Sequence, residues 1–289
     1  MLTFYTQKDP EKLTHSLQKH QRAVYDTINN SQYTIQKGET MPVITVSNHK
    51  GGCGKSTTCI FLIGGLYQRG KRVLLIDIDE RATLSKKIAN PQGATIADVL
   101  RGTPAARAVQ MGKFCDIIPA AAELATPETI IKDRPGREYQ IKKAIEGIKA
   151  DYDFIIFDCP GSLNTLTINA LTASDKVIIP TISDEDSIQG IYNMVDIIED
   201  VQEYTNPGLS IAGVLLTGVN YNTVFGNAML QNVENIAAER NIKMFQPIRQ
   251  TVEIQAAKYN AADINIFDAL KKNPARDELE LFIKEFLKG

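Results

Sequence analysis

Apolar positions along the chain fall into two rhythms that meet near residue 42. Upstream, Leu13, Leu17, Val24 and Ile28 recur at helical steps among Gln, Lys and His, which predicts one amphipathic helix within residues 1–41. Asn29-Asn30-Ser31 supplies its stop, and His15 and His20 read as solvated residues on it. From Pro42 onward, short apolar runs alternate with longer amphipathic stretches. The runs predict strands at Val43–Ser47, Arg72–Ile76, Cys115–Ile118, Phe154–Phe157, Lys176–Ile179, Ile211–Leu216 and Lys243–Phe245. Between them, helices are expected at Ser56–Arg69 and at about 138–149, 164–172, 187–204, 227–240 and 277–287. Such alternation predicts an α/β fold: a doubly wound, mostly parallel sheet with helices on both faces. The expected organisation is a short helical extension, residues 1–41, ahead of one domain, residues 42–289.

Composition narrows the function classes without choosing among them. Of 289 residues, 43% are hydrophobic and 23% charged, with a net charge of -2, which suits a folded globular domain rather than a disordered or membrane-embedded chain. A nucleic-acid partner would have to be held by a local patch, because the chain as a whole is not basic. No run of about 18 apolar residues is present to span a membrane, and residues 1–20 contain no apolar stretch of signal-peptide type. The expected location is the cytoplasm. Cys53, Cys59, Cys115 and Cys159 show no CxxC spacing, so they read as packing residues in a reducing compartment rather than metal ligands.

The specific chemistry lies at the end of the first strand. Val43–Ser47 runs into Asn48-His49-Lys50-Gly51-Gly52-Cys53-Gly54-Lys55-Ser56-Thr57-Thr58. A strand, a Gly-rich turn and a helix N-terminus together make an anion cradle, because glycines let backbone N–H groups turn inward and the helix end adds partial positive charge. In that setting Lys55 reaches the β- and γ-phosphates and the Ser56 hydroxyl coordinates Mg²⁺. The usual G-x-x-x-x-G-K-[ST] pattern fails, since His49 stands where its first Gly belongs, and a second lysine, Lys50, opens the loop.

At these residues the chain resembles the deviant Walker A ATPases and, within them, the ParA partition ATPases. Leu74-Leu75-Ile76-Asp77-Ile78-Asp79 is similar to that family's second nucleotide motif, and Tyr152–Pro160 to its Walker B segment. The likeness extends over roughly residues 42–285. It implies ATP and Mg²⁺ as cofactors and slow, Mg²⁺-dependent hydrolysis of ATP to ADP and phosphate. Lys50, Gly51, Gly52, Cys53, Gly54, Lys55, Ser56 and Thr57 would bind the nucleotide, with Lys50 crossing a dimer interface to the partner's phosphates. Asp77 and Asp158 match the acids around the metal, joining Ser56, and Asp79 matches the carboxylate that orients the attacking water. Asn220 is a candidate adenine contact. Each carboxylate has a bland alternative, since an Asp ending a buried strand also caps the following turn.

The resemblance further implies an ATP-dependent homodimer, non-specific DNA as partner, association with the nucleoid, and a ParB-like or adaptor protein that stimulates hydrolysis to partition or position a cargo. Candidate DNA contacts are Arg249, Lys258, Lys271 and Lys272. Several positions depart from the family pattern. Glu80-Arg81-Ala82 follows the second motif where Pro-Gln-Gly is usual, Gly161 interrupts a usual Pro-Pro-Ser, and Glu253 falls where a DNA-contacting arginine is often found. The alternative is a MinD-like membrane-associated switch, which calls for a basic amphipathic C-terminal helix. Here Glu278, Glu280 and Glu285 offset Lys284 and Lys288, so the tail reads better as a packed helix.

Overall fold

The computed structural model describes residues 42–88, 92–131, 134–271 and 273–289. The helix expected within residues 1–41 therefore lies outside the described residues, as does Lys272. The strands are β1 (Val43–Val46), β2 (Val73–Asp77), β3 (Gln110–Met111), β4 (Asp116–Ile118), β5 (Phe154–Asp158), β6 (Lys176–Ile182), β7 (Ser210–Val219) and β8 (Ile248–Arg249). The helices are α1 (Lys55–Tyr67), α2 (Ser85–Ile88), α3 (Ile96–Arg101), α4 (Ala105–Ala108), α5 (Glu128–Ile131), α6 (Gln140–Ile145), α7 (Thr165–Ala173), α8 (Glu185–Tyr204), α9 (Val224–Glu239), α10 (Val252–Tyr259), α11 (Ile266–Leu270) and α12 (Pro274–Leu287).

The strands form one sheet in the order β3-β4-β2-β5-β1-β6-β7-β8, parallel except for the β3–β4 pair. Alternate residues of each strand feed opposite cores. Ile44, Leu75, Ile156, Ile178 and Leu215 pack in a cluster with residues of α1, α11 and α12. Val43, Leu74, Ile76, Ile155 and Phe157 pack on the other face with residues of α3, α6 and α7. Val177, Ile179, Val214 and Leu216 continue that face with residues of α8 and α9. Burial on both faces explains why the strands read as unbroken apolar runs rather than alternating ones.

Helix starts are fixed locally by polar caps. Asn164, Asp184, Thr223, Thr251, Asn265 and Asn273 each accept a backbone N–H from the first turn of the helix that follows. Those bonds satisfy donors that have no intrahelical partner.

Two expectations needed correcting. The strand expected at 243–245 is only a bridge between Met244 and Val214, and the edge strand is β8. The ladder breaks because the Gln246 N–H donates to the Glu285 carboxylate at 2.8 Å and Pro247 has no N–H to give. The helix expected at about 138–149 is the shorter α6, flanked by 3-10 turns at Arg137–Tyr139 and Lys149–Asp151.

The C-terminal helix is packed, as its acids suggested. Leu279, Phe282, Ile283 and Phe286 of α12 are buried, and the Phe282 ring meets Phe245 edge-on with centroids 5.2 Å apart. A Cβ at Gly65 would come within 2.5 Å of the Ile283 side chain, so α1 and α12 approach backbone to side chain. The apolar stripe a membrane-binding helix would present is thus spent inside the domain. Replacing Phe282 by Ala is expected to cost about 3–5 kcal/mol, measured as a lowered urea midpoint with unchanged slope.

Candidate active site

The site forms where β1 and β5 end beside the Gly-rich loop. β1 lies between β5 and β6, so the chain leaves it with neighbours on both sides, and the crevice beyond its C-terminal end is the usual ligand position in open α/β sheets. Gly52 and Gly54 turn the loop with φ of 80° and 95°, a region closed to most side chains. At Gly54 a Cβ would also stand 2.9 Å from Thr217 Oγ1. The loop then enters α1 directly, placing the helix N-terminus at its floor.

Lys55 is buried, and its ammonium donates to the carbonyls of Lys50 at 2.6 Å and Asn48 at 3.2 Å. Its charge therefore sits inside the ring of the loop. Cys53 packs beneath that ring, its thiol donating to the Lys50 carbonyl at 3.1 Å, and burial pushes its pKa up, so it stays a neutral packing residue. Gly51 and Gly52 are exposed along the rim, while Ser56 and Thr57 are half-buried on the first turn. Gly161 lies against this rim: a Cβ there would stand 3.1 Å from Gly51 Cα, so the departure from a proline leaves the loop room.

Asp77 and Asp158 are register partners at the ends of β2 and β5. Both are buried. Asp77 accepts from the Ser85 N–H and hydroxyl at 2.9 and 2.6 Å and from the Asp79 N–H at 3.1 Å. Burial raises its pKa to about 6 despite these bonds. Burial and the neighbouring Asp77 charge drive Asp158 up as well. Asp158 Oδ2 accepts from the Ser56 hydroxyl at 2.7 Å, while buried Oδ1 has no partner among the described residues.

A hydroxyl, two crowded carboxylates and an orphaned carboxylate oxygen beside an anion cradle suit a divalent cation. Among the described residues no cluster of three or more His, Cys, Asp and Glu side chains could hold a metal alone. The arrangement therefore suits Mg²⁺, which takes few protein ligands and keeps water and phosphate oxygens around it. Held there, Mg²⁺ would neutralise charge on the β- and γ-phosphates.

The remaining charged residues of the site are paired within the chain. Lys50 does not enter the cradle. Its ammonium ion-pairs with Asp184, the N-cap of α8, and reaches Asp186 at 3.4 Å. The Asp184 bond raises the Lys50 pKa. Burial alone would raise that of Asp184, but the bonds from Lys50 and Ser187 prevail and hold it low. Asp79 is covered by Arg81, whose Nη2 donates to Oδ2 at 2.6 Å and whose Nε donates to Oδ1 at 3.0 Å. Neither Asp184 nor Arg81 was singled out as a site residue from sequence. Arg81 had a visible signal, as a departure from the family motif, whereas nothing local marked Asp184.

Asn220 follows β7 and is exposed, its Oδ1 accepting the Asn222 N–H at 3.1 Å, so the side chain shapes its own turn. Arg249 is committed to Glu278: Nε and Nη2 both lie 2.7 Å from Oε1. Lys258 is half-buried on α10, and burial together with the nearby Lys87 charge lowers its pKa. Lys271 is exposed, at a φ of 43°. Glu253 is exposed in the first turn of α10.

Sheet order, cradle and carboxylate pair define a P-loop ATPase of the two-lysine type. A family model described as an AAA domain matches residues 41–211. The sporulation initiation inhibitor protein Soj of Bacillus subtilis is 33% identical over 239 residues, covering 78% of this chain and 91% of Soj. The chromosome partitioning protein ParA of Caulobacter vibrioides is 38% identical over 183 residues, covering 61% of this chain and 68% of that one. Among solved structures, a cobyrinic acid a,c-diamide synthase from Mycobacterium smegmatis with bound ADP and magnesium is 32% identical with a TM-score of 0.68, covering 77% of this chain and 90% of that one. The chain belongs to the family of Soj and ParA and is a partition-type ATPase.

The raised Asp77 pKa has a sign that can be measured. With the folded value near 6 and an unfolded value near 3.9, the native state holds the extra proton, so this group's contribution to stability falls as pH rises through about 6. A divalent cation reverses that loss by favouring the carboxylate. The thermal shift produced by Mg²⁺ with a non-hydrolysable ATP analogue is expected to be larger at pH 7.5 than at pH 5.5, read by differential scanning fluorimetry.

Proposed function

We propose that the protein is an ATP-driven switch for partition or positioning of a plasmid, chromosome or other cargo. ATP with Mg²⁺ occupies the cradle, two subunits close over the nucleotides, the dimer binds DNA non-specifically, and a ParB-like or adaptor protein stimulates slow hydrolysis that releases it. This places the protein in the cytoplasm, on the nucleoid. The observation that carries the reading is the division of labour between two lysines of one loop. Lys55 is buried in the ring, whereas Lys50 points away from it to the rim, with its side chain 28% exposed. An ammonium at that rim is available to a neighbouring subunit's phosphates, and Asp184 is the group it would have to leave.

In hydrolysis Ser56, Asp77 and Asp158 hold the metal, Lys55 draws charge from the β- and γ-phosphates, and Asp79 orients water. Such a reaction depends on positioning and charge neutralisation more than on covalent chemistry. The DNA surface rests on Lys258 and Lys271 with the added Lys87, while Arg249 acts through Glu278 as a support. Two ammonium groups as close as Lys258 and Lys87 are relieved by phosphate, which also releases counterions.

Lys55→Ala is expected to abolish productive nucleotide binding. Lys50→Ala should retain binding but lose ATP-dependent dimerisation and hydrolysis, measured by titration of a fluorescent ATP analogue beside light scattering. Retention on DNA should require ATP, be absent with ADP, and fall steeply with salt. Normal dimerisation and turnover by Lys50→Ala would overturn the reading of that lysine, and DNA retention independent of nucleotide would overturn the switch.

A further inference from the structure

The second nucleotide motif ends in a turn that differs from the family pattern at each position after Asp79. That turn is closed by the Ala82 N–H donating to the Asp79 carbonyl at 2.8 Å. Ala82 adopts a left-handed φ of 51°, where the family pattern has glycine, so an unfavourable backbone state is held in place. Its effect is to fold Arg81 back over Asp79. Besides the guanidinium bonds, the Arg81 N–H donates to Oδ1 at 3.0 Å. Both carboxylate oxygens are thus engaged by one residue, two positions away.

Exposure separates the partners. The Asp79 side chain is 4% exposed and that of Arg81 57%. Asp79 is therefore shielded from water, and the guanidinium that helps cover it is itself open to solvent. On leaving, the exposed guanidinium regains its hydration, and the Lys55 charge still favours the buried Asp79 carboxylate. A carboxylate whose oxygens are filled by a bidentate fork is a poor acceptor for a water hydrogen.

We propose that Arg81 is a positioning residue that restrains hydrolysis: it caps Asp79 and must swing away before that carboxylate can orient the attacking water. In the step so gated, the water oxygen bonds to the γ-phosphorus. The bond from that phosphorus to the β–γ bridging oxygen breaks, its electron pair leaves with ADP, and both water protons end on the released phosphate. Phosphate oxygens accept the same fork as a carboxylate, which gives the displaced guanidinium a second class of partner. The inference rests on the proposed role of Asp79 and assigns a rate-setting contact to it.

The test replaces Arg81 by Gln, the residue usual in the family at this position. Arg81→Gln in the full chain is expected to raise basal kcat roughly threefold to tenfold with KM unchanged, and to shorten the lifetime of the ATP-bound dimer. Independently of turnover, the Arg81 Nε–H of the nucleotide-free wild type should give a slowly exchanging ¹⁵N–¹H signal. That signal should be lost in Asp79→Asn and should exchange faster with Mg²⁺ and an ATP analogue bound. A kcat that falls or stays constant in Arg81→Gln, while Asp79→Ala is inactive, would overturn the restraint and leave the role of Asp79 standing. Equal protection of the Nε–H with and without nucleotide would also overturn it. Wild-type turnover by Asp79→Ala would instead remove the underlying reading of Asp79, and the restraint with it.

Discussion

Two carboxylates buried side by side set the terms for this molecule. Asp77 and Asp158 end neighbouring strands in register, so the sheet itself forces their charges together. Taking a carboxylate out of water is costly, and placing a second beside it adds repulsion. The fold accepts this because the Ser56 hydroxyl and the Ser85 N–H and hydroxyl donate to them, and because the nearby Lys55 charge favours the Asp158 carboxylate. A site whose carboxylates hold protons more tightly than usual is poised to exchange them for a divalent cation. Metal, phosphate and loop would then offset part of one another's charge within a single site rather than bind separately.

The same accounting explains why the rim is paired. Lys50 with Asp184 and Arg81 with Asp79 are each ion pairs between a partly exposed cation and an acid held by the turn or helix end it belongs to. Such contacts are weak enough to exchange for phosphate and ordered enough to fix where the side chains start. A switch needs two states separated by a few kcal/mol. In the proposed switch the pairs at the rim would be traded, whereas the ring around Lys55 and the packed face of α1 would be common to both states.

Legibility in the sequence varied with the range of the interaction. The cradle was readable because strand, glycines, lysine and hydroxyl are contiguous from Val43 to Ser56, and the strand-end carboxylates because each closes an apolar run. The edge of the sheet was not. Lys243–Phe245 reads as a strand, yet Glu285, forty residues later, takes the next backbone donor and turns the chain toward β8. The segment that carries α10 and α11 passed without assignment, since Ile254, Ala257, Ile266 and Phe267 gain their meaning only by packing on α1 and α12. Arg249 of β8, a candidate DNA contact in the sequence, ion-pairs with Glu278 of α12.

The amino-acid sequence by itself determined that this chain builds a parallel sheet covered on both faces, that a phosphate loop ends its first strand, and that acids end two others. Those properties are local: they follow from the spacing of apolar residues and from backbone freedom at glycine. Only the tertiary structure decided which charges meet. Whether a lysine faces a phosphate, an acid or another lysine depends on elements brought together from far along the chain, as Lys50 meets α8 and Lys87 meets α10. Coulomb interactions act through space and take their strength from burial, and neither separation nor burial is written in the order of residues.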